Sequence, residues 1–186
     1  MTVELFTPTL ARLPQYVGAL RRDWSPDSIR GRVAAEEELA AIDKDAAAFV
    51  ARQTNLEARG DPVNLPDGSR VARIPGRQFW VWDGQFCGRV GLRWLNGTAA
   101  LPPHVLGHIG YTVVPWKHRQ GIATEAVRLV LPHARAQGLP YVEVTTDPHN
   151  IASQKVITAN GGVLVEHFTR PAAFGGTPAL RYRIPL

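Results

Sequence analysis

The stretch YTVVPWKHRQGIATEAV, residues 111–127, sets Lys117, His118 and Arg119 directly before Gly121. An apolar, β-rich run stops at Pro115 there and a helical pattern begins. The first N–H groups of a helix lack intrahelical partners, and the helix dipole adds roughly half a positive charge at the same end. Gly121 lets a ligand approach the backbone closely, Ala123 nearly so, and Lys117 and Arg119 add long-range attraction. This arrangement suits a phosphate or pyrophosphate. It is equally the pattern of an ordinary helix start with scattered surface cations. Neither G-x-x-x-x-G-K-[ST] nor G-x-G-x-x-G is present, which excludes the usual nucleoside-triphosphate and dinucleotide loops.

The elements that must position this loop read as a mixed α/β domain spanning 1–186, with an N-terminal part, 1–78, and a core, 79–186. Leu10, Leu13, Val17 and Leu20 stand at helical spacing over 9–21, and Pro14 counts against a long regular helix. An Ala/Glu-rich helix is predicted from Ser25 to about Gln53, with Val33, Leu39, Ile42, Ala46, Phe49 and Val50 as its apolar stripe. Residues 59–78 are rich in Gly, Pro and Asp and read as a flap-like loop. QFWVW and FCGRVGLRW flank DGQ, the signal of a hairpin. LGHIGYTVV and YVEVTT read as strands on either side of the helix IATEAVRLVLPHARAQG, in which Pro132 predicts a kink or break. NIASQKVITANGG reads as a short helix, and VLVEHF with ALRYRIPL as a closing hairpin whose strands offer a surface for a homodimer.

The net charge of +5 and the isoelectric point near 9.9 permit either an anionic ligand or nucleic acid. Basic residues are spread from Arg12 to Arg183 with no dense run and no basic helical stripe, which ranks nucleic acid low. The apolar runs are too short to span a bilayer, and no basic segment leads into an apolar one at the N-terminus. A lone Cys87 makes neither an internal disulfide nor a zinc site. No metal and no membrane are expected, and a cytoplasmic location is.

The segment 107–162 resembles the GNAT (GCN5-related N-acetyltransferase) superfamily. The resemblance rests on HRQGIA, set against R/Q-x-x-G-x-G/A, and on DPHNIASQKVITANGG downstream; GHIGYTV, NIAS and ANGG are similar to a subgroup of predicted acetyltransferases. It implies a mostly antiparallel sheet splayed between its fourth and fifth strands, with acetyl-CoA as co-substrate. Its pyrophosphate would lie on His118, Arg119, Gln120, Gly121, Ile122, Ala123 and Thr124. A bulged strand at Tyr111, Thr112 and Val113 would hold the pantetheine through its backbone, with Asn150 and Ser153 on the other side. His118 replaces the usual Arg or Gln. The resemblance implies acetyl transfer by direct attack of a primary amine, on a small molecule or on a protein. A non-catalytic acyl-CoA-binding module is the alternative.

The proton-transfer positions depart from the family pattern, with Ile157 where a tyrosine is usual and Thr145 where a glutamate is common. His108, Tyr111, Glu143 and Asp147 remain. An ordinary histidine pKa near 6.5 suits a base, so His108 reads either as a base or as a buried, hydrogen-bonded histidine. Whether His108 or Tyr111 faces the substrate stays open across a bulge. Asp147 reads as a contact for a cationic substrate or as a turn cap, and Glu143 as the solvated face of an edge strand. Trp80, Trp82 and Trp94 read as strand packing or as an acceptor pocket, and Trp116 as a partial cover for the coenzyme. Arg93 offers a contact for an acidic substrate or a surface ion pair, and Cys87 reads as a small core residue.

Overall fold

The computed structural model describes residues 2–65 and 67–186. Strand β1 (Glu4–Phe6) precedes three helices, α1 (Leu13–Arg21), α2 (Arg32–Lys44) and α3 (Ala46–Ala51). Short strands β2 (Thr54–Asn55), β3 (Val63–Asn64) and β4 (Arg70–Val71) lead to the long hairpin β5 (Gly76–Trp82) and β6 (Phe86–Arg93). Then come β7 (Ile109–Val113), α4 (Ile122–Arg135), β8 (Tyr141–Thr146), α5 (Ile151–Ala159), β9 (Val163–Thr169) and β10 (Pro178–Pro185). One sheet runs β1-β5-β6-β7, with β2 also on β5, and a second runs β8-β10-β9. Their paired strands are all antiparallel. The expected splay between fourth and fifth strands is the gap between β7 and β8.

Two apolar clusters cover the faces of the first sheet. Phe79, Val81, Val90 and Leu92 pack with Val127 and Val130 of α4, and with Val142, Val144 and Ile184 of the second sheet. On the other face Trp80, Trp82 and Phe86 pack with Tyr16 and Leu20 of α1, Trp24, Ile42 of α2 and Phe49 of α3. Tyr16 stacks on Trp80 at 4.8 Å between centroids; such a pair contributes roughly 1 kcal/mol beyond its burial. Trp80, Trp82 and Trp94 are buried packing residues.

Several elements differ from the sequence expectation, each for a local reason. Pro14 sits in the first turn of α1, where its missing N–H has no partner to lose. The predicted helix 25–53 begins only at Arg32, because Ser25 and Asp27 hold a capped turn: Asp27 Oδ1 accepts from the N–H groups of Ile29 and Arg30. It also breaks at Asp45, whose carboxylate accepts from Ala48 N–H and starts α3. Val33, placed on the expected stripe, is 56% exposed, while Ala34 and Ala35 face the core. Helix α4 continues through Pro132, since Pro132 and Arg128 lie on the solvent side, where water takes the carbonyl that the proline leaves unpaired. Residues 59–78 contain the small hairpin β3–β4 rather than a structureless flap.

Strand β7 carries no bulge toward β6, for its register is continuous from Leu92↔Ile109 to Gly88↔Val113. That settles parity. Ile109, Tyr111 and Val113 pack toward α4, while Gly110 lies on the other face, where Arg93 runs past it. Glu143 is 6% exposed and sits between Arg181 and Arg183 at 2.7 and 3.0 Å. Strand β8 is an edge of its sheet, beside the gap, but Glu143 is not on a solvated face. The other edge is β9, with Val163, Leu164 and Val165 exposed.

Candidate active site

The sheets touch at one point and then part. His108 N–H donates to Glu143 O at 2.8 Å, and Glu143 N–H donates back to His108 Nδ1 at 2.9 Å. Above this hinge no hydrogen bond joins β7 to β8 among the described residues. Strand β7 then has an open edge. Because Arg93↔His108 and Cys87↔Val114 are the bonded positions toward β6, the alternation of the ladder turns the N–H and C=O of Tyr111 into the gap, together with the N–H of Val113, whose C=O is taken by His118. These are the backbone groups that an extended amide-containing arm pairs with.

The mouth of the gap is the start of α4. Arg119 and Gly121 both adopt left-handed backbone, φ 62° and 77°. No side chain caps the helix, and its first internal bond is Glu125 N–H to Gly121 O at 3.0 Å. The amides of Ile122, Ala123 and Thr124 are left without a protein partner among the described residues, an anion cradle made of backbone. His118 is exposed and its Nε2–H donates to Val113 O at 2.9 Å, tying the loop to β7. Gln120 and Arg119 are exposed.

Lys117 does not serve this cradle. Its ammonium is held by both oxygens of Asp83, at 2.5 and 2.6 Å, and Asp83 is almost fully covered. Cys87 lies beside that pair, and burial chiefly, with Asp83 adding to it, pushes its thiol up to about 12; it is an unreactive core residue. Trp116 packs on the α1–α3 side with the Arg22 guanidinium 4.2 Å over its ring, rather than covering the cradle.

On the far side of the gap, Asn150 caps α5, its Oδ1 accepting from Ser153 N–H at 3.0 Å. Its side-chain nitrogen has no partner among the described residues. Tyr111 spans the gap, with its OH 2.9 Å from Ser153 Oγ. Burial pushes its pKa up to about 12, so the phenol stays protonated at neutral pH and is a proton donor rather than a base.

His108 and Asp147 do not meet the expectation of catalytic groups. The ring of His108 has no exposed surface, its Nδ1 lone pair is already used by Glu143 N–H, and burial lowers its pKa to about 4. A histidine so placed accepts no further proton at neutral pH. Asp147 Oδ1 accepts from His149 N–H at 2.8 Å, a turn cap, and its other oxygen lies 3.9 Å from Arg170.

Ile157 is fully buried, and Gly162 already presses on it: a Cβ at 162 would meet Ile157 Cγ2 at 2.4 Å. Tyrosine has no room there. Ile157→Tyr is expected to lower the melting temperature by several degrees, as overpacking costs about 1–3 kcal/mol, with no gain in turnover. A gain would show that the position still serves proton transfer.

A second opening, a cleft of about 530 Å³, lies between the β5–β6 face, the 27–38 segment and the β3–β4 hairpin. Sequence reasoning reached only Arg93 and the 59–78 segment of it. Val63, Leu65, Val105 and Phe174 give it apolar walls, and Arg73, Arg77, Arg89 and Arg93 stand among its lining. The Arg89 guanidinium pairs with Glu38 at 3.1 Å, and Tyr16 OH donates to the same carboxylate.

Taken together, the site has a backbone anion cradle at a helix start, an open strand edge leading inward from it, and a cleft on the opposite face of the sheet. It can hold a long phosphorylated ligand on one side and a small reactant on the other. Solved structures share the fold that carries it. RimL, the ribosomal L7/L12 alpha-N-protein acetyltransferase in complex with coenzyme A, aligns with a TM-score of 0.65 at 15% identity, covering 100% of this chain and 95% of that one. The Salmonella typhimurium acetyltransferase that modifies the N-terminal serine of L7/L12 gives 0.65 at 14% identity, with 100% and 96% covered. MccE, the microcin C7 self-immunity acetyltransferase in complex with acetyl-CoA and AMP, gives 0.59 at 11%, with 99% and 92% covered. No curated protein sequence matches the chain significantly. Residues 36–163 match the family described as "Acetyltransferase (GNAT) domain", a span that holds the cradle, the open edge and most of the cleft, and on that match the chain belongs to the GNAT acetyltransferases.

Proposed function

We propose that the whole chain, 1–186, is one acetyltransferase domain that moves acetyl from acetyl-CoA to a primary amine by direct attack. The observation that carries this is the free amide cluster at Ile122–Thr124, set at the mouth of the gap between β7 and β8. The amides of 122–124, with Arg119 and Gln120 beside them, hold the pyrophosphate. His118 fixes the loop by its bond to Val113. The open edge at Tyr111 and Val113, with Thr112 between them, and the free amide of Asn150 hold the pantetheine.

Acetyl-CoA supplies the acetyl thioester: the amine nitrogen bonds to the carbonyl carbon, the C–S bond breaks, and one proton leaves the amine. The chain's tasks are to align the two reactants and to manage that proton. Strand N–H groups aimed into the gap are placed to polarise a carbonyl. Tyr111, protonated and bridged to Ser153, replaces the tyrosine missing at 157 as the donor to the departing thiolate. The acceptor occupies the cleft, whose size suits a small molecule.

Thiol release from acetyl-CoA in the presence of single amines tests the reading. Tyr111→Phe is expected to lower kcat about tenfold to hundredfold with KM for acetyl-CoA unchanged. An unchanged kcat would mean that the thiolate leaves unaided. The buried Ile157 and the absence of a carboxylate at Thr145 favour a second reading, a non-catalytic acyl-CoA-binding module. That protein would bind acetyl-CoA and release no thiol with any amine.

A further inference from the structure

The cleft is built for an anion. Arg52, Arg73 and Arg93 all line it, and none has a carboxylate partner among the described residues. Arg73 bonds only to a neutral oxygen, the Asp61 carbonyl, whereas Arg77 turns its guanidinium to the α4 face, over Phe79 and onto the Thr7 hydroxyl. The acidic groups nearby are already committed. Asp27 accepts from the backbone at Ile29 and Arg30, and Glu38 is shared by Arg89 and Tyr16. Guanidinium stays charged at any working pH, so the cleft keeps an uncompensated positive field.

Arg93 is the group nearest the chemistry. Its Nη2 lies 3.0 Å from where a Cβ on Gly110 would stand, one residue before Tyr111, whose N–H points into the gap. Water reaches its side chain. An unpaired cation in that position is relieved by an anionic ligand, and the planar fork suits carboxylate or phosphate.

We propose, on the footing of the acetyltransferase reading, that the acceptor is a small amine carrying an anionic group a few bonds from its nitrogen, bound at Arg93. An amino acid with an apolar side chain is the simplest molecule of this kind. Its carboxylate meets Arg93 and its side chain the walls at Val63, Leu65, Val105 and Phe174. The same field favours the neutral over the protonated amine. It thus does part of the work of the base that neither His108 nor Asp147 supplies.

The test compares L-phenylalanine with L-phenylalanine amide, and O-phosphoethanolamine with ethanolamine, on wild type and Arg93→Ala. Turnover and the melting shift in the presence of coenzyme A are read for each. The anionic member of at least one pair is expected to exceed its neutral partner at least tenfold in kcat/KM. Arg93→Ala should remove about tenfold to hundredfold of that for the anionic member alone. Which pair responds tells carboxylate from phosphate. The melting shift with acetyl-CoA should be the same in both proteins, since Arg93 lies off the cradle. If acetyl-CoA shifts neither protein, the acetyltransferase reading falls and this inference with it. If acetyl-CoA binds but the neutral amines match or beat the anionic ones, or no anionic probe binds or reacts, the inference alone is overturned.

Discussion

Gly121→Glu should cost at least about a hundredfold in affinity for acetyl-CoA, while Gly121→Asn keeps most of it. At φ 77° a side chain is strained by about 1–2 kcal/mol, yet nothing lies within 4 Å of a Cβ there. Both variants should therefore fold. Asparagine tolerates left-handed backbone better than most residues and brings no charge. Glutamate sets a negative charge roughly 5 Å from the phosphate position, a repulsion of about 3 kcal/mol at an effective dielectric near 20, and blocks the amides of 122–124. Titration of the two folded variants with acetyl-CoA gives the answer. Equal affinities would mean that those amides do not hold the phosphates.

The second large effect concerns stability. His108→Ala is expected to cost roughly 3 kcal/mol at pH 7, from the lost ring and from the Glu143 N–H left without its acceptor. For a chain of this length that is a fall of about 6–12 °C in melting temperature. The loss should shrink as the pH falls. Burial lowers the folded pKa of His108 to about 4, outweighing the nearby Glu143, which raises it, with Arg93 and Arg181 adding to the lowering. The unfolded chain, near 6.5, therefore binds the proton more tightly. Its neutral form contributes stability that is fully present above about pH 6.5 and is lost as pH falls toward 4, a difference of roughly 3 kcal/mol. Alanine does not titrate. Melts of both proteins from pH 7 to 4 should converge. A constant gap would leave His108 without its place as the neutral pin between the sheets, and a stable but inactive variant would restore it as a base.

The loop proposed to take the coenzyme was legible as a glycine-led helix start because its parts are adjacent in the chain. Residues 118–124 contain the loop, the glycine and the helix start, so residue type narrows them to a phosphate cradle or an ordinary helix start. Asn150 was reached through the family resemblance; in the structure it caps the Ser153 N–H three residues on. The catalytic side was not legible. His108 takes its role from Glu143, 35 positions away, and Tyr111 from Ser153, 42 away. Local pattern gave no sign that β8 meets β7 at one point only. Lys117 reads as a free cation beside the loop until the fold brings Asp83 to it. The cleft draws its cations from segments near 30, 52, 73 and 89–93. What reads as scattered charge along the chain converges in space on one face. Helix boundaries were missed where a short polar side chain holds a turn, as at Asp27, or caps a new helix, as at Asp45.

The most direct test of the central claim is a thermal melt of the purified protein with saturating acetyl-CoA, at two salt concentrations, beside the same melt with S-acetylpantetheine, which lacks the pyrophosphate. At about 100-fold its dissociation constant a ligand stabilises the fold by roughly 2.7 kcal/mol, a shift of about 5–10 °C here. A shift of that size with acetyl-CoA, and a much smaller one with S-acetylpantetheine, is the predicted result. No shift with acetyl-CoA, or equal shifts with both, would contradict a coenzyme pyrophosphate seated at Gly121–Thr124.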